Sequence, residues 1–312
     1  MSDTLQSTSP SGDSEANSDE ILLPPGTAMT EDTLSSILRD YSTPIIVLSG
    51  AAESGKTTLI ASIHDSFQWS PFAGYLFSGS QTLLGFEERC FDSRASSEAP
   101  KPSTIRTRPE EGVRFYHLKL RIQDLASPIR NLVIADSSGE FYERATNSSS
   151  EMMETTIIRR ADQFAFLVDG DRLTSEYAHT MSNAEMLMRR IFEEGILGID
   201  ARVDILLSKW DLVVSRLGDN GSDRLSQEFQ DEFDRRFRRK AGRLRITPVA
   251  ARPDPGSNLR PAHGMAELFQ SWVEEPPRRV QQRFSRLRVP TPCRPFDAFA
   301  FRQAPEMFEG AK

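Results

Sequence analysis

The chain has 312 residues, a formal net charge of -7 and 38% hydrophobic residues. The acidic balance removes any bulk electrostatic case for nucleic acid, and no apolar run reaches membrane-spanning length or forms a signal-peptide pattern. Two cysteines, Cys90 and Cys293, without metal-ligand spacing, and four scattered histidines argue against a metal site built from them and for a reduced, cytoplasmic protein.

Residues 1–28 are rich in Ser, Asp and Glu and end near Pro24-Pro25-Gly26; a segment this polar is expected to be disordered. Residues 30–41 read as a short helix, with Leu34, Ile37 and Leu38 on one face. Thr43-Pro44 ends it and delivers an apolar strand, Pro44-Ile45-Ile46-Val47-Leu48. Directly after comes Gly50-Ala51-Ala52-Glu53-Ser54-Gly55-Lys56-Thr57, which fits G-x-x-x-x-G-K-[ST], followed by Thr58 and a helical run. Strand, glycine loop and helix are the context a phosphate-binding loop requires. Backbone N–H groups from Gly50 through Glu53, Ser54 and Gly55 to Lys56, Thr57 and Thr58 can converge on phosphates at a helix N-terminus. Lys56 can reach the β- and γ-phosphates, and Thr57 can place its hydroxyl on Mg²⁺.

A loop then leads to a short strand at 75–77, a helix over 81–95 and a Ser/Pro/Thr-rich loop over 94–108. Alternation over 113–122 predicts a half-exposed strand. Leu132-Val133-Ile134-Ala135 is a buried strand running into Asp136-Ser137-Ser138-Gly139-Glu140. An apolar strand ending in Asp suits a Mg²⁺-facing carboxylate, since open α/β sheets bind ligands at the carboxyl ends of their strands. Gly139 completes D-x-x-G and can turn its N–H toward a γ-phosphate.

Further elements are expected at 149–160 (helix), 164–169 (buried strand) and 174–194 (long helix), and 203–208 is a strand ending in Ser208-Lys209-Trp210-Asp211. That is one residue from the [NT]-K-x-D signature of guanine recognition. A carboxylate at Asp211 can accept both N1–H and the exocyclic amine of guanine, a donor pair adenine lacks. Lys209 can lie along the base. A polar helix over 222–241, a strand from 245, a loop whose Ala250 or Ala251 can offer a backbone N–H to the base, and a helix over 261–272 complete the core. Residues 276–312 are Arg- and Pro-rich, a tail suited to a protein partner more than to nucleic acid. The basic run at 235–240 sits among acids and reads as a solvated helix face. Trp69, Trp210 and Trp272 read as core or pocket walls.

In chain order, G-x4-G-K-T, D-x-x-G, S-K-x-D and the Ala loop resemble the Ras-like (TRAFAC-class) P-loop GTPases over about residues 44–275. The phosphate loop, the insert containing residues 79–87 and the stretch 106–118 resemble the bacterial double-GTPase family. The resemblance implies a three-layer α/β fold, a mostly parallel sheet of about six strands with helices on both faces. It divides the chain into a GTPase domain at 29–275, with an insert at about 69–108, and two tails. It implies GTP/GDP and Mg²⁺ as ligands, and partner proteins, among them a second GTPase, in a multi-component bacterial system. Carried onto this chain, Lys56 binds phosphates, Thr57 and Asp136 hold Mg²⁺ with a switch threonine, Thr107 or Thr104, and Lys209 and Asp211 hold the base. Three positions depart from small GTPases. Glu140 stands where a Gln orients the attacking water, Ala52 where a glycine admits an arginine finger, and Ser208 where an Asn ties the base loop to the phosphate loop. Glu140 can act as a base or repel the γ-phosphate, so hydrolysis is expected to be slow. A pseudo-GTPase scaffold and a P-loop ATPase or kinase are the alternatives.

Overall fold

The computed structural model of the chain describes residues 25–40, 43–91, 112–122, 127–137, 139, 156–193, 195–198, 201–237 and 244–274. Apolar runs without internal Gly or Pro form the central strands β1 (Ile45–Gly50), β4 (Arg130–Asp136), β5 (Gln163–Asp169) and β6 (Arg202–Ser208), and more mixed segments form β2 (Tyr75–Gly79), β3 (Arg114–Ile122) and β7 (Leu244–Pro248). They form a 7-stranded sheet in the order β2-β3-β4-β1-β5-β6-β7. β3 pairs antiparallel with β2 and β4, and every other pairing is parallel. The carboxyl ends of β1, β4, β5, β6 and β7 therefore open on one edge. The sheet has one strand more than expected because β2, from the insert, joins its edge beside β3.

The described helices are α1 (Glu31–Asp40), α2 (Lys56–Trp69), α3 (Leu83–Phe91), α4 (Thr156–Arg160), α5 (Gly170–Ser175), α6 (Tyr177–Glu193), α7 (Trp210–Arg236) and α8 (Met265–Glu274). Side chains alternate along each strand, so the sheet feeds two cores. Ile45, Val47, Val133 and Ala135 face α1, α4, α6 and α7. Ile46, Leu48, Leu132 and Ile134 face α2, α3 and α8. This is the expected three-layer α/β arrangement.

Three elements differ from the sequence reading. Residues 115–118 of β3 are all buried, because Met29 bridges to Phe115 on one side and Phe86 of α3 packs on Tyr116 from the other. α7 begins at Trp210, directly after β6, and breaks at Gly218 (φ 68°), the residue that hid its first half in the sequence. Helix also starts earlier after β5, at Gly170, because the Asp169 carboxylate caps it by accepting from the N–H groups of Asp171 and Arg172. Trp210 and Trp272 are core, whereas Trp69 is 88% exposed and walls nothing among the described residues. Within the stretch expected to lack structure, Gly26 accepts from the Gly85 N–H and Ala28 packs into the core beside α3.

The insert is pinned to β3 through His117. Its Nδ1 accepts from the Gln81 N–H (3.2 Å), so Nε2 carries the proton and donates to Asn131 Oδ1 (3.0 Å). Burial lowers the imidazole pKa and keeps the ring neutral. Arg235 and Arg236 pair with Glu232, and Arg236 also reaches Glu185, as expected for a solvated face.

One buried charge joins β6, β7 and α8. The Asp204 carboxylate accepts from Trp272 Nε1 (2.8 Å) and Arg245 Nε (2.9 Å), and Arg245 Nη2 also reaches Ser271 Oγ (2.6 Å). Burial raises the Asp204 pKa, and Arg245 pulls it part of the way back. A carboxyl raised on folding contributes stability in full below its unfolded value, and that contribution is lost as pH rises through the folded value. Arg245→Ala leaves the charge buried without its cation. It is expected to cost about 2 kcal/mol at pH 7, below the range for fully buried pairs because the Arg245 side chain is 41% exposed. Denaturant unfolding should show a deficit that is larger at pH 8 than at pH 5, and an equal deficit at both would refute the ion-pair reading.

Candidate functional site

The site is built where the parallel strands end. At the end of β1 the backbone turns sharply at Gly50 (φ 151°), where a Cβ would lie 2.7 Å from Ser54 Oγ and 2.8 Å from Leu167 O. Gly55 (φ 97°) starts α2, with no side-chain cap and no acidic residue in the first turn. Uncapped N–H groups at a helix N-terminus suit an anion. Ser49 Oγ and Ser54 Oγ are buried here with no hydrogen-bond partner among the described residues. Lys56 is buried, and its Nζ bridges the carbonyls of Gly50 (2.8 Å) and Ala51 (2.9 Å). The ammonium therefore lies inside the loop, where a phosphate oxygen can compete with the carbonyls.

β4 carries Asp136 opposite Leu48 of β1. Asp136 is fully buried, and Thr57 Oγ1 donates to its Oδ2 (3.3 Å). Two oxygen donors beside the phosphate loop form the donor set a hard divalent cation takes. Ser137 Oγ donates to Leu48 O (2.7 Å) and fixes the exit of β4 to β1. Gly139 lies against the phosphate loop: a Cβ there would stand 2.5 Å from Ala52 N and 2.6 Å from Ala52 Cα. The two sequence positions flagged separately, Ala52 and Gly139, are thus in contact. Glu140, Thr104 and Thr107 lie outside the described residues.

β6 ends at Ser208, and Lys209 makes the turn into α7 in a left-handed conformation (φ 52°). Ser208 Oγ donates to Val168 O (3.1 Å) rather than to the phosphate loop. Lys209 Nζ pairs with Asp169 Oδ2 (2.8 Å), not with Asp211. Asp211 is buried, and its Oδ2 accepts from the Asp254 N–H (3.0 Å), which orients the carboxylate. Gly170 lets the turn close: a Cβ there would stand 2.4 Å from Ser208 O. After β7, the Ala250 N–H donates to His263 O (3.1 Å) and is committed. No described backbone carbonyl accepts from the Ala251 N–H.

The loop after β7 and the phosphate loop are linked through α2. Ser62 Oγ donates to Ala251 O (2.8 Å), and Asp65 pairs with Arg252. These contacts join the two loops where Ser208 does not. Glu53, Lys209 and Ala262 are three of the four described non-glycine residues with positive φ, and each sits in one of these loops or against one. Backbone strain of this kind collects where a site dictates loop shape.

Sequence reasoning missed Asp169, Asp254, Ser62, Asp65 and Arg252. Asp169 ends an apolar strand just as Asp136 does, so its signal was present. The others act only through contacts distant in the chain.

Solved structures that match the chain include the signal recognition particle receptor SRb-GTP/SRX complex from Chaetomium thermophilum, with TM-score 0.38 and 15% identity over 69% of this chain and 93% of that one. The S. cerevisiae Ski7 GTPase-like domain matches when bound to GTP (TM-score 0.43, 13% identity) and when bound to GDP and inorganic phosphate (TM-score 0.42, 15% identity). Each Ski7 match covers 78% of this chain and 52% of that one. No curated protein matches the chain. No described helix is long and apolar enough to cross a membrane. A model of the Double-GTPase 2 family matches residues 44–273, and the chain belongs to that family.

Proposed function

We propose that this chain is a guanine-nucleotide switch that binds GTP and GDP, hydrolyses GTP slowly and signals its nucleotide state to a partner protein. The observation that carries the reading is the meeting of two loops at one sheet edge: an uncapped phosphate loop and a turn presenting a buried, oriented Asp211. In this reading Lys56 exchanges its carbonyl partners for the β- and γ-phosphates. N–H groups between Gly50 and Thr58 take the remaining phosphate oxygens. Asp211 accepts from the guanine edge, Lys209 lies along the ring with its charge held by Asp169, and Ala251 donates to the base carbonyl. Thr57 and Asp136 would hold Mg²⁺, with Thr107 or Thr104 completing the set; the ion neutralises phosphate charge.

Gly139 is the coupling point. Its packing on Ala52 means that a movement of this glycine toward a γ-phosphate must also shift the phosphate loop. Glu140, the next residue, is proposed to set the hydrolysis rate through its charge. Without an arginine supplied by a partner, that rate is on the order of 10⁻⁴ per second. Membership of the double-GTPase family supports a second GTPase as the partner, within a multi-component bacterial system.

Single-turnover hydrolysis of labelled GTP by the full chain tests the enzymatic part. Glu140→Gln, which removes the charge without adding bulk against the phosphate loop, is expected to change turnover at least tenfold while GDP affinity stays within about threefold. A wild-type rate equal to that of GTP in buffer would refute hydrolysis and leave a nucleotide-binding scaffold.

A further inference from the structure

Four side chains outside the phosphate and base contacts meet where α2 packs on α3. His64 and Asp65 belong to α2, Glu87 and Cys90 to α3. His64 Nδ1 is 3.8 Å from Cys90 Sγ, and ligand atoms of His64, Asp65 and Cys90 all lie within 4.8 Å of one another. Tetrahedral zinc with bonds of about 2.0 Å to nitrogen and about 2.3 Å to sulfur spaces those two donors about 3.6 Å apart. His64 and Cys90 need to move only slightly to share one ion.

The surroundings match a metal-bound imidazole as well. The other ring nitrogen, His64 Nε2, faces Glu87 Oε1 at 3.7 Å, and Gln68 Nε2 donates to that same oxygen at 3.0 Å. Phe86 stacks on the imidazole with ring centroids 5.0 Å apart. A carboxylate on the far nitrogen is the usual partner of a metal-ligating histidine, because it fixes the tautomer that leaves the near nitrogen as the donor. Asp65 Oδ2 also pairs with Arg252. The Glu87 and Asp65 side chains are partly exposed, whereas His64 and Cys90 are buried.

We propose that His64, Asp65 and Cys90 bind one zinc-type divalent cation, with Glu87 orienting His64 and a water in the fourth position. The mixed nitrogen, sulfur and oxygen set favours zinc over magnesium, which separates this site from the Thr57–Asp136 pair. Binding releases the Cys90 thiol proton, so affinity rises with pH. The cysteine and histidine spacing in the chain gave no hint of the site, because it forms only when the insert folds back on α2.

Titration of the chelator-stripped full chain with Co²⁺ provides the test. One equivalent should bind per chain with a thiolate-to-cobalt charge-transfer band, and one equivalent of Zn²⁺ should displace it. Cys90→Ser should abolish the band, and Cys293→Ser should leave it intact. Glu87→Gln, at a half-exposed position, should fold normally and weaken Co²⁺ binding at least tenfold. That variant keeps the test decisive should Cys90→Ser fail to fold. Absence of the band in the wild-type chain, its loss in Cys293→Ser, or unchanged affinity in Glu87→Gln would each overturn the proposal.

Discussion

Asp211→Asn is expected to lower affinity for GTP and GDP about a thousandfold and to raise affinity for xanthosine nucleotides. The carboxylate offers two acceptor oxygens in a buried position, and the Asp254 N–H holds its plane. Guanine presents two donors on one edge. The amide keeps one acceptor and puts a donor against a donor, so one charge-assisted bond is lost and a second group is left unpaired. Together these cost about 4 kcal/mol, or about three decades in affinity. Xanthine carries a carbonyl where guanine carries the amine and accepts from the new NH₂. The substitution preserves shape, and the Asn oxygen can still accept from Asp254, so the unliganded protein should melt within a degree or two of wild type. Competition binding with labelled GDP measures both arms. If GTP affinity survives in Asp211→Asn, the base pocket lies elsewhere.

Lys56→Ala is expected to reduce affinity for every nucleoside di- and triphosphate at least a hundredfold, regardless of base. Removing one partner of a desolvated charge pair costs about 2–5 kcal/mol, and Lys56 is the cation buried inside the phosphate loop. The two substitutions therefore separate by phenotype, one changing which base is bound and the other whether phosphate is bound. The lysine also bridges Gly50 and Ala51, so the unliganded variant should lose about 1 kcal/mol of stability as those carbonyls return to water. Unchanged affinity for a labelled GTP analogue would remove the phosphate-loop assignment.

The fold class was legible because its evidence is local. Apolar runs such as residues 45–48 and 164–168 stay buried on both faces, and each run ends in a residue with site chemistry. The motif order was enough to recognise the family. What escaped the sequence depends on contacts between distant segments. The first half of α7 was masked by Gly218, whose non-helical φ of 68° breaks the element in two. β2 could be read as a strand, but its place at the sheet edge beside β3 is a tertiary fact. Half-burial was expected of β3 because alternation reports one covered face, whereas the insert and residues 28–29 cover it further. At the site, the Lys209–Asp169 pair and the Ser62–Ala251 link join residues 40 and 189 positions apart, and no pattern within one segment encodes them. Ala250 and Ala251 were indistinguishable until the His263 carbonyl claimed one of them.

The central claim is that the two loops together hold a guanine nucleotide. Thermal unfolding of the full chain with Mg²⁺ and, separately, GTP, GDP, ATP and ADP tests it most directly. A ligand at a hundred times its dissociation constant stabilises the native state by about 2.7 kcal/mol. The account predicts a clear rise in melting temperature with GTP and GDP and none with ATP or ADP. An equal rise with the adenine nucleotides, or no rise with any of the four, would contradict it.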